Sequence, residues 1–199
     1  MKAVESLIAE HQVIARVATA LETYAHRLQD DRALEAADLR RFADVFKDFA
    51  ECIHHEKEEN ILLPVLSRHG CSWDSGVLPS VRREHRQETY LIEVLRHAAE
   101  RAASWSDEDR RHVVAAAHAL VEFQRNHHLL ESAQLFPEVA RRLSERELAT
   151  LQAELDRFDH EHEQRRSSSL LLAEALIERY APEALASPSV PGARRAATP

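Results

Sequence analysis

Apolar side chains recur along this chain three and four positions apart. Leu7, Ile8, Ile14, Ala18, Leu21, Ala25 and Leu28 predict an amphipathic helix from about Lys2 to Gln29. The polar run "DDRALEAAD" then reads as a turn. Phe42, Phe46, Phe49, Ile53, Ile61 and Leu66 carry a second helix from about Ala37 to Arg68, which stops at "RHGCSWDSG", where Gly70 suits a C-cap and Gly76 a loop. Val81, Ile92, Leu95 and Ala99 mark a third helix from about Leu78 to Ala103, and Ser106 can cap a fourth that runs to about Leu143. Pro64 and Pro137 fall late in the second and fourth helices, where each should kink the helix or begin its end. The capping box of Ser144 with Glu147 opens a fifth helix that continues to about Tyr180.

Alternating Val/Ile runs are absent and only 3 Gly occur, so the fold class is all-α. The expected architecture is an up-down-up-down antiparallel four-helix bundle over residues 1–143 with an additional C-terminal helix over 144–180. Residues 181–199 are rich in Pro, Ala and Ser without periodicity and are expected to form a disordered tail. Whether the fifth helix packs across the bundle or mediates a homodimer is left open by the sequence.

Charge and cysteine usage narrow the partners. A formal net charge of -8 with no basic face argues against nucleic acid. No apolar run approaches the roughly 20 residues of a membrane span, and "MKAVESLIAEHQVIARV" breaks its apolar positions with Glu and His, unlike a signal peptide. A cytoplasmic protein without a membrane partner is expected. Cys52 and Cys71 lack CxxC spacing and are expected to be free thiols.

The candidate chemistry lies in a repeat. "HHEKEENILLP" begins at His54 and "HHLLESAQLFP" at His127, each with a Glu four residues after the His and a Pro six residues after that Glu. "EH" at Glu10 and His11 recurs at Glu84 and His85 with almost the same displacement. Helical residues four apart share a face, so His54 with Glu58 and His127 with Glu131 each present two donor groups in one direction. His11 and His54 each lie roughly 26 Å from the first turn at 1.5 Å rise per residue, and His85 and His127 are level within about one helical turn. His11 continues the stripe of Leu7, Ile14, Ala18 and Leu21, and His85 that of Val81, Ile92 and Ala99. Four inward His and two inward Glu in one layer satisfy one another best around metal ions, because isolated buried charge is costly. Imidazole and carboxylate suit Fe, Mn or Zn; two Glu can bridge two cations while each cation takes two His, leaving positions open for a small ligand.

The order His, HxxxE, His, HxxxE, with "ILLP" and "QLFP" after the Glu residues, resembles the hemerythrin-like (HHE cation-binding) family over about residues 5 to 140. The resemblance implies a four-helix bundle with a non-haem di-iron centre, two Fe ions held by His11, His54, Glu58, His85, His127 and Glu131. It also implies handling of oxygen, nitric oxide or peroxide, iron sensing, or repair of damaged iron centres. The oxygen-carrying hemerythrins place a second His four residues after the first on helix three, where this chain has Thr89. They use an aspartate five residues after the helix-four His, where it has Ser132. A more open, reactive centre is the expectation, acting as a di-iron oxidoreductase. A non-catalytic iron or oxygen sensor or metal store is the first alternative, and a bundle serving only as an interaction module the second.

Neighbouring residues weigh less. His55, His128 and Glu59 are rotated by about 100° from the ligand positions on an α-helix and are expected beside the site or at the surface. His118, His160, His162, Cys52 and Tyr24 are expected to take no part in it, whereas Glu88, one turn past His85, is a further candidate carboxylate.

Overall fold

The computed structural model describes residues 2–30, 34, 36–101 and 105–181. Every element among them is helical and no strand occurs. Helix α1 spans Lys2–Asp30, α2 Ala36–Val45, α3 Leu63–Arg68, α4 Val77–Glu100, α5 Asp107–Leu130, α6 Phe136–Arg142, α7 Glu145–Glu161 and α8 Glu163–Tyr180. Three stretches widen into π-helix: Phe46–His55 and Glu58–Leu62 between α2 and α3, and Glu131–Leu135 between α5 and α6. The path is therefore helical without a break over 36–68 and again over 107–142.

The two prolines expected to kink or end their helices sit in the first turns of α3 and α6, directly after π stretches. A proline cannot donate the hydrogen bond that an α-helix interior requires of it. The five-residue span of a π turn just before it lets the helix continue past that missing donor. Both stretches also carry the site glutamates, Glu58 and Glu131, at their first positions.

Local signals set most of the ends. Ser106 and Ser144 each accept from the backbone N–H three residues on, and Asp109 and Glu147 return the bond to the cap backbone. After α3, Gly70 takes φ 89°, its N–H donates to Ser67 O at 3.0 Å, and Cys71 N–H donates to Leu66 O at 3.0 Å. That pair of bonds closes a left-handed C-cap that only glycine enters without strain. The fifth helix expected to run to Tyr180 is instead interrupted at His162. Both the backbone N–H and Nδ1 of His162 bond to Phe158 O, at 3.0 and 2.9 Å, while its ring stacks on Phe158 at 4.0 Å, ending the turn without Gly or Pro. The expected tail lies outside the described residues apart from Ala181, as does most of the turn between α1 and α2.

Helix α1 packs on α5, α5 on α4, and α4 on α2. Helix α8 packs on α1, α2 and the first π stretch, and α7 on α1 and the second, so the C-terminal helices cover the side formed by the N-terminal half. The apolar interior falls into two clusters. One gathers Ile14, Tyr24, Phe42, Phe46, Ile92, Leu120 and Tyr180. The other gathers Leu7, Leu62, Leu66, Val81, Leu135, Phe136 and Leu151. Each of four helical paths passes from one cluster to the other through a short polar interval: His11 between Leu7 and Ile14, His54 and Glu58 between Ala50 and Leu62, His85 between Val81 and Ile92, His127 and Glu131 between Val121 and Leu135. Ile8, expected on the buried stripe of α1, is 40% exposed, one step round the helix from Leu7. Among the described residues, no helix is long and apolar enough to cross a membrane, and both cysteines are free thiols.

Replacing Gly70 by Ala forces a Cβ into the left-handed region and to 3.0 Å from Arg142 Nη1. The expected loss is about 1–2 kcal/mol of stability, read as a lowered midpoint in urea with an unchanged slope.

Candidate metal centre

The polar interval between the two apolar clusters holds all six residues singled out by their spacing. His11, His54, Glu58, His85, His127 and Glu131 are each 6% exposed or less. Two groups of four could hold a metal ion, His11/His54/Glu58/Glu131 and Glu58/His85/His127/Glu131, with donor atoms within 4.8 Å of one another in each. The glutamates belong to both groups.

Their carboxylates are turned so that each offers one oxygen to either side. Glu58 Oε1 lies 3.6 Å from His54 Nε2 and Oε2 3.3 Å from His85 Nε2. Glu131 Oε2 lies 2.9 Å from His11 Nε2, and Oε1 3.2 Å from His127 Nε2 and 3.8 Å from His85 Nε2. All four imidazoles thus aim Nε2 inward. Three are held from behind: His54 Nδ1 by Glu10 at 3.0 Å, His127 Nδ1 by Glu84 at 2.9 Å and His85 Nδ1 by Glu59 at 2.9 Å. An ionised carboxylate only accepts, so each of these three rings carries a proton on Nδ1, which leaves Nε2 as the nitrogen whose lone pair a metal ion would take.

Electrostatics divide the cluster: burial opposes the charged form of His85 and His127, but Glu131, Glu58 and Glu59 outweigh it and raise His85 well above the ordinary imidazole range, and Glu131 and Glu84 raise His127. Burial, then the charge of Glu131, pushes the Glu58 carboxyl up to about 7. Burial also acts against ionised Glu131, but His127, His11 and His85 outweigh it and hold that carboxyl well below the usual range. Burial, then the neighbouring His11, drives His54 well below the ordinary imidazole range, so it is neutral. Both oxygens of Glu58 and of Glu131, together with His85 Nε2 and His127 Nε2, are buried without a hydrogen-bond partner. Unpartnered buried acceptors of this kind cost on the order of 1–3 kcal/mol each, more when charged. Six inward donor atoms of imidazole and carboxylate type fit a pair of borderline cations and satisfy that deficit at once.

Several residues next to the expected ligands also reach the site. His55, expected beside the site or at the surface, is 4% exposed and stacks on His85 with ring centroids 3.9 Å apart. The α-helical angle of roughly 100° per residue does not hold there, because His54 and His55 close a ten-residue π stretch, whose wider turn separates successive side chains by less. His128 stacks on His11 at 4.0 Å and is half-buried. Glu59 does stand beside the site, on His85. Glu88 is fully buried, takes a hydrogen bond from Gln124, and is pushed up to about 7 by burial. The duplicated "EH" was the available signal for Glu10 and Glu84, each of which backs the ligand-type His of its own half.

The most unusual neighbour is Lys57, wholly buried, which donates to Glu10 and, at 2.8 Å, to Asp159 Oδ1 near the end of α7. Tyr24 lies in the apolar cluster against Phe42 and Tyr180, remote from the site. His118 is not in the main cluster; it gathers with Glu22 and His26 nearer the surface, where Glu22 also pairs with Arg125 at 2.7 Å. His160 and His162 belong to no metal-capable group among the described residues.

Comparison of the chain with protein-family models, with curated proteins and with solved structures gives no match. The functional reading therefore stands on the residues of the site.

Lys57→Ala would leave Glu10 buried between His54 and the outlying Arg166 guanidinium, 3.9 Å away. The expected cost is about 3–5 kcal/mol, as for a buried ion pair that loses one member, measured by urea unfolding of the metal-free protein; a change below 1 kcal/mol would contradict this assignment.

Proposed function

We propose that this chain is a hemerythrin-like protein, an antiparallel four-helix bundle whose interior holds two iron ions bridged by Glu58 and Glu131. His11 and His54 would hold one ion, His85 and His127 the other. One observation carries the reading: two buried carboxylates each turn one oxygen toward either histidine pair, and none of the four oxygens has a hydrogen-bond partner. Manganese or zinc would fit the same donors, and iron is favoured by the resemblance of the motif order to the family.

On this reading the centre binds or reduces a small oxidant such as oxygen, nitric oxide or peroxide. Bound iron would supply the electrons, one from each ferrous ion. The protein's own contribution is positional. Glu10, Glu84 and Glu59 fix the ring orientation and tautomer of His54, His127 and His85. The two apolar clusters above and below exclude bulk water, which strengthens every charge interaction within the layer. Two imidazoles and two bridging oxygens per ion leave positions short of six, where a diatomic or peroxide ligand enters.

A second reading, a sensor that reports occupancy, is favoured by the buried chain His54–Glu10–Lys57–Asp159, which ties a ligand-type histidine to the C-terminal helices. Steady-state assays with peroxide and nitric oxide separate the two. Reduction faster than free iron supports the reactive centre; no such rate, with a metal-dependent change in protease protection of α7 and α8, supports the sensor.

Protein purified without oxygen is expected to carry two iron ions per chain by elemental analysis and to melt at higher temperature than the chelator-treated form. His54→Ala and His127→Ala are each expected to lose bound iron and most of that metal-dependent rise. Wild-type protein with no stoichiometric metal, melting at the same temperature with and without iron, would overturn the proposal.

A further inference from the structure

Helices α1 and α5 run antiparallel along one seam, and three contacts mark its length: His11 against His128, Glu22 against Arg125, and His26 against His118. The first of these lies at the buried layer. The other two lie well away from it, Glu22 about 16 Å along α1 from His11 and His118 about 14 Å along α5 from His127 at 1.5 Å rise per residue.

Glu22, His26 and His118 each bring one donor atom within 4.8 Å of the others, and none of the three belongs to a group in the buried layer. Glu22 and His26 are four apart on α1 and share a face, while His118 reaches them from α5. The two imidazoles meet edge-on, with ring centroids 5.0 Å apart and an interplanar angle of 64°. His85 and His127, the ligand-type pair of the buried layer, meet in nearly the same way, at 5.0 Å and 74°. Two imidazoles bound to one tetrahedral ion through bonds of 2.0–2.1 Å have their centroids about 5 Å apart, so the spacing at the seam is that of a shared ion.

The scaffold behind these donors is fixed. Leu21 and Ala25 on α1 and Ala117 and Val121 on α5 flank them in sequence, each 2% exposed or less, so both backbones are locked by the apolar cluster beneath. Only the outer side chains must adjust: His26 is exposed, and His118 and Glu22 are half-buried. Arg125 Nη2 donates to Glu22 Oε2 at 2.7 Å, but its own side chain is 60% exposed. An exposed ion pair of this kind contributes little and yields readily to a divalent cation.

We propose that Glu22, His26 and His118 form a second, surface metal site for a divalent cation of the zinc type, bound by two imidazoles and one carboxylate with solvent in the fourth position. The donor set ranks zinc above ferrous iron, so the site is distinct in chemistry from the buried layer as well as in place. A cation there ties the helix that carries His11 to the helix that carries His127. The proposal does not rest on the two-iron reading.

The test is a Zn(II) titration of the full-length chain, as purified with its own metal content, against a chromophoric zinc indicator. Wild type is expected to bind one zinc that His26→Ala and His118→Ala each bind at least about tenfold more weakly, while all three melt alike in the absence of added zinc. His112→Ala removes another exposed α5 imidazole, outside the group, and should match wild type. Because the readout is the difference between wild type and the two variants, the occupancy of the buried layer does not enter it. Equal zinc uptake and affinity in wild type, His26→Ala and His118→Ala would overturn the proposal. So would a loss in His112→Ala as large as in His26→Ala, which would mark dispersed binding to surface histidines.

Discussion

Two carboxylates buried side by side govern this protein's interior. Glu58 and Glu131 sit side by side at the centre of the helices, fully buried, between one apolar cluster and another. The histidines answer them unevenly: burial drives His54 well below the ordinary imidazole range, whereas at His85 and His127 the facing carboxylates outweigh burial and raise the imidazole. The opposite pull on the two carboxyls, one pushed up to about 7 and the other held low, is the sign of a pair that cannot both ionise in comfort. A cation between them relieves both, and the inward Nε2 atoms are the neutral donors that would hold it. The rest of the polar layer follows from the same need: carboxylates behind the imidazoles fix their tautomers, and Lys57 offsets Glu10, which would otherwise add a further uncompensated charge.

A duplicated design produces the layer, and local departures from the duplication give it direction. Glu10 and Glu84 play the same part in each half, yet Glu10 is buried and answers to Lys57 and Asp159, while Glu84 is partly exposed. The pairing of His55 Nε2 with Glu88 Oε2 at 3.3 Å has no equal in the other half, where Ile14 occupies the place on α1 that Glu88 takes on α4 relative to the "EH" pair. The covering helices α7 and α8 lie over only one side. A centre built from two near-equal halves thus faces two unlike surroundings, one tied into the C-terminal helices and one bordering a surface cleft lined by His55, His85 and Thr89.

Much of this was legible in the sequence because helical periodicity and helix length are arithmetic. The apolar stripes of α1 and α4 and the capping boxes at Ser106 and Ser144 follow from residue type and spacing, and so does the convergence of His11, His54, Glu58, His85, His127 and Glu131 at one depth. What was not legible depends on departures from a regular α-helix. Nothing in "FKDFAECIHH" announces a π turn, so a fixed angle per residue left open whether His55 stands beside the site or at the surface. The break at His162 comes from a side chain capturing a carbonyl, a choice of rotamer rather than of residue class. The burial of Lys57 depends on a partner, Asp159, that is 102 positions away, and no local pattern carries information over that distance.

The central claim is that Glu58 and Glu131 jointly bridge two cations. Anomalous scattering from crystals of the iron-loaded protein, collected at the iron edge, tests it most directly. The account predicts two peaks about 3.5–4 Å apart, each within bonding distance of one oxygen of Glu58 and one of Glu131. A single peak, or iron confined to the Glu22/His26/His118 group with the buried layer empty, would contradict it.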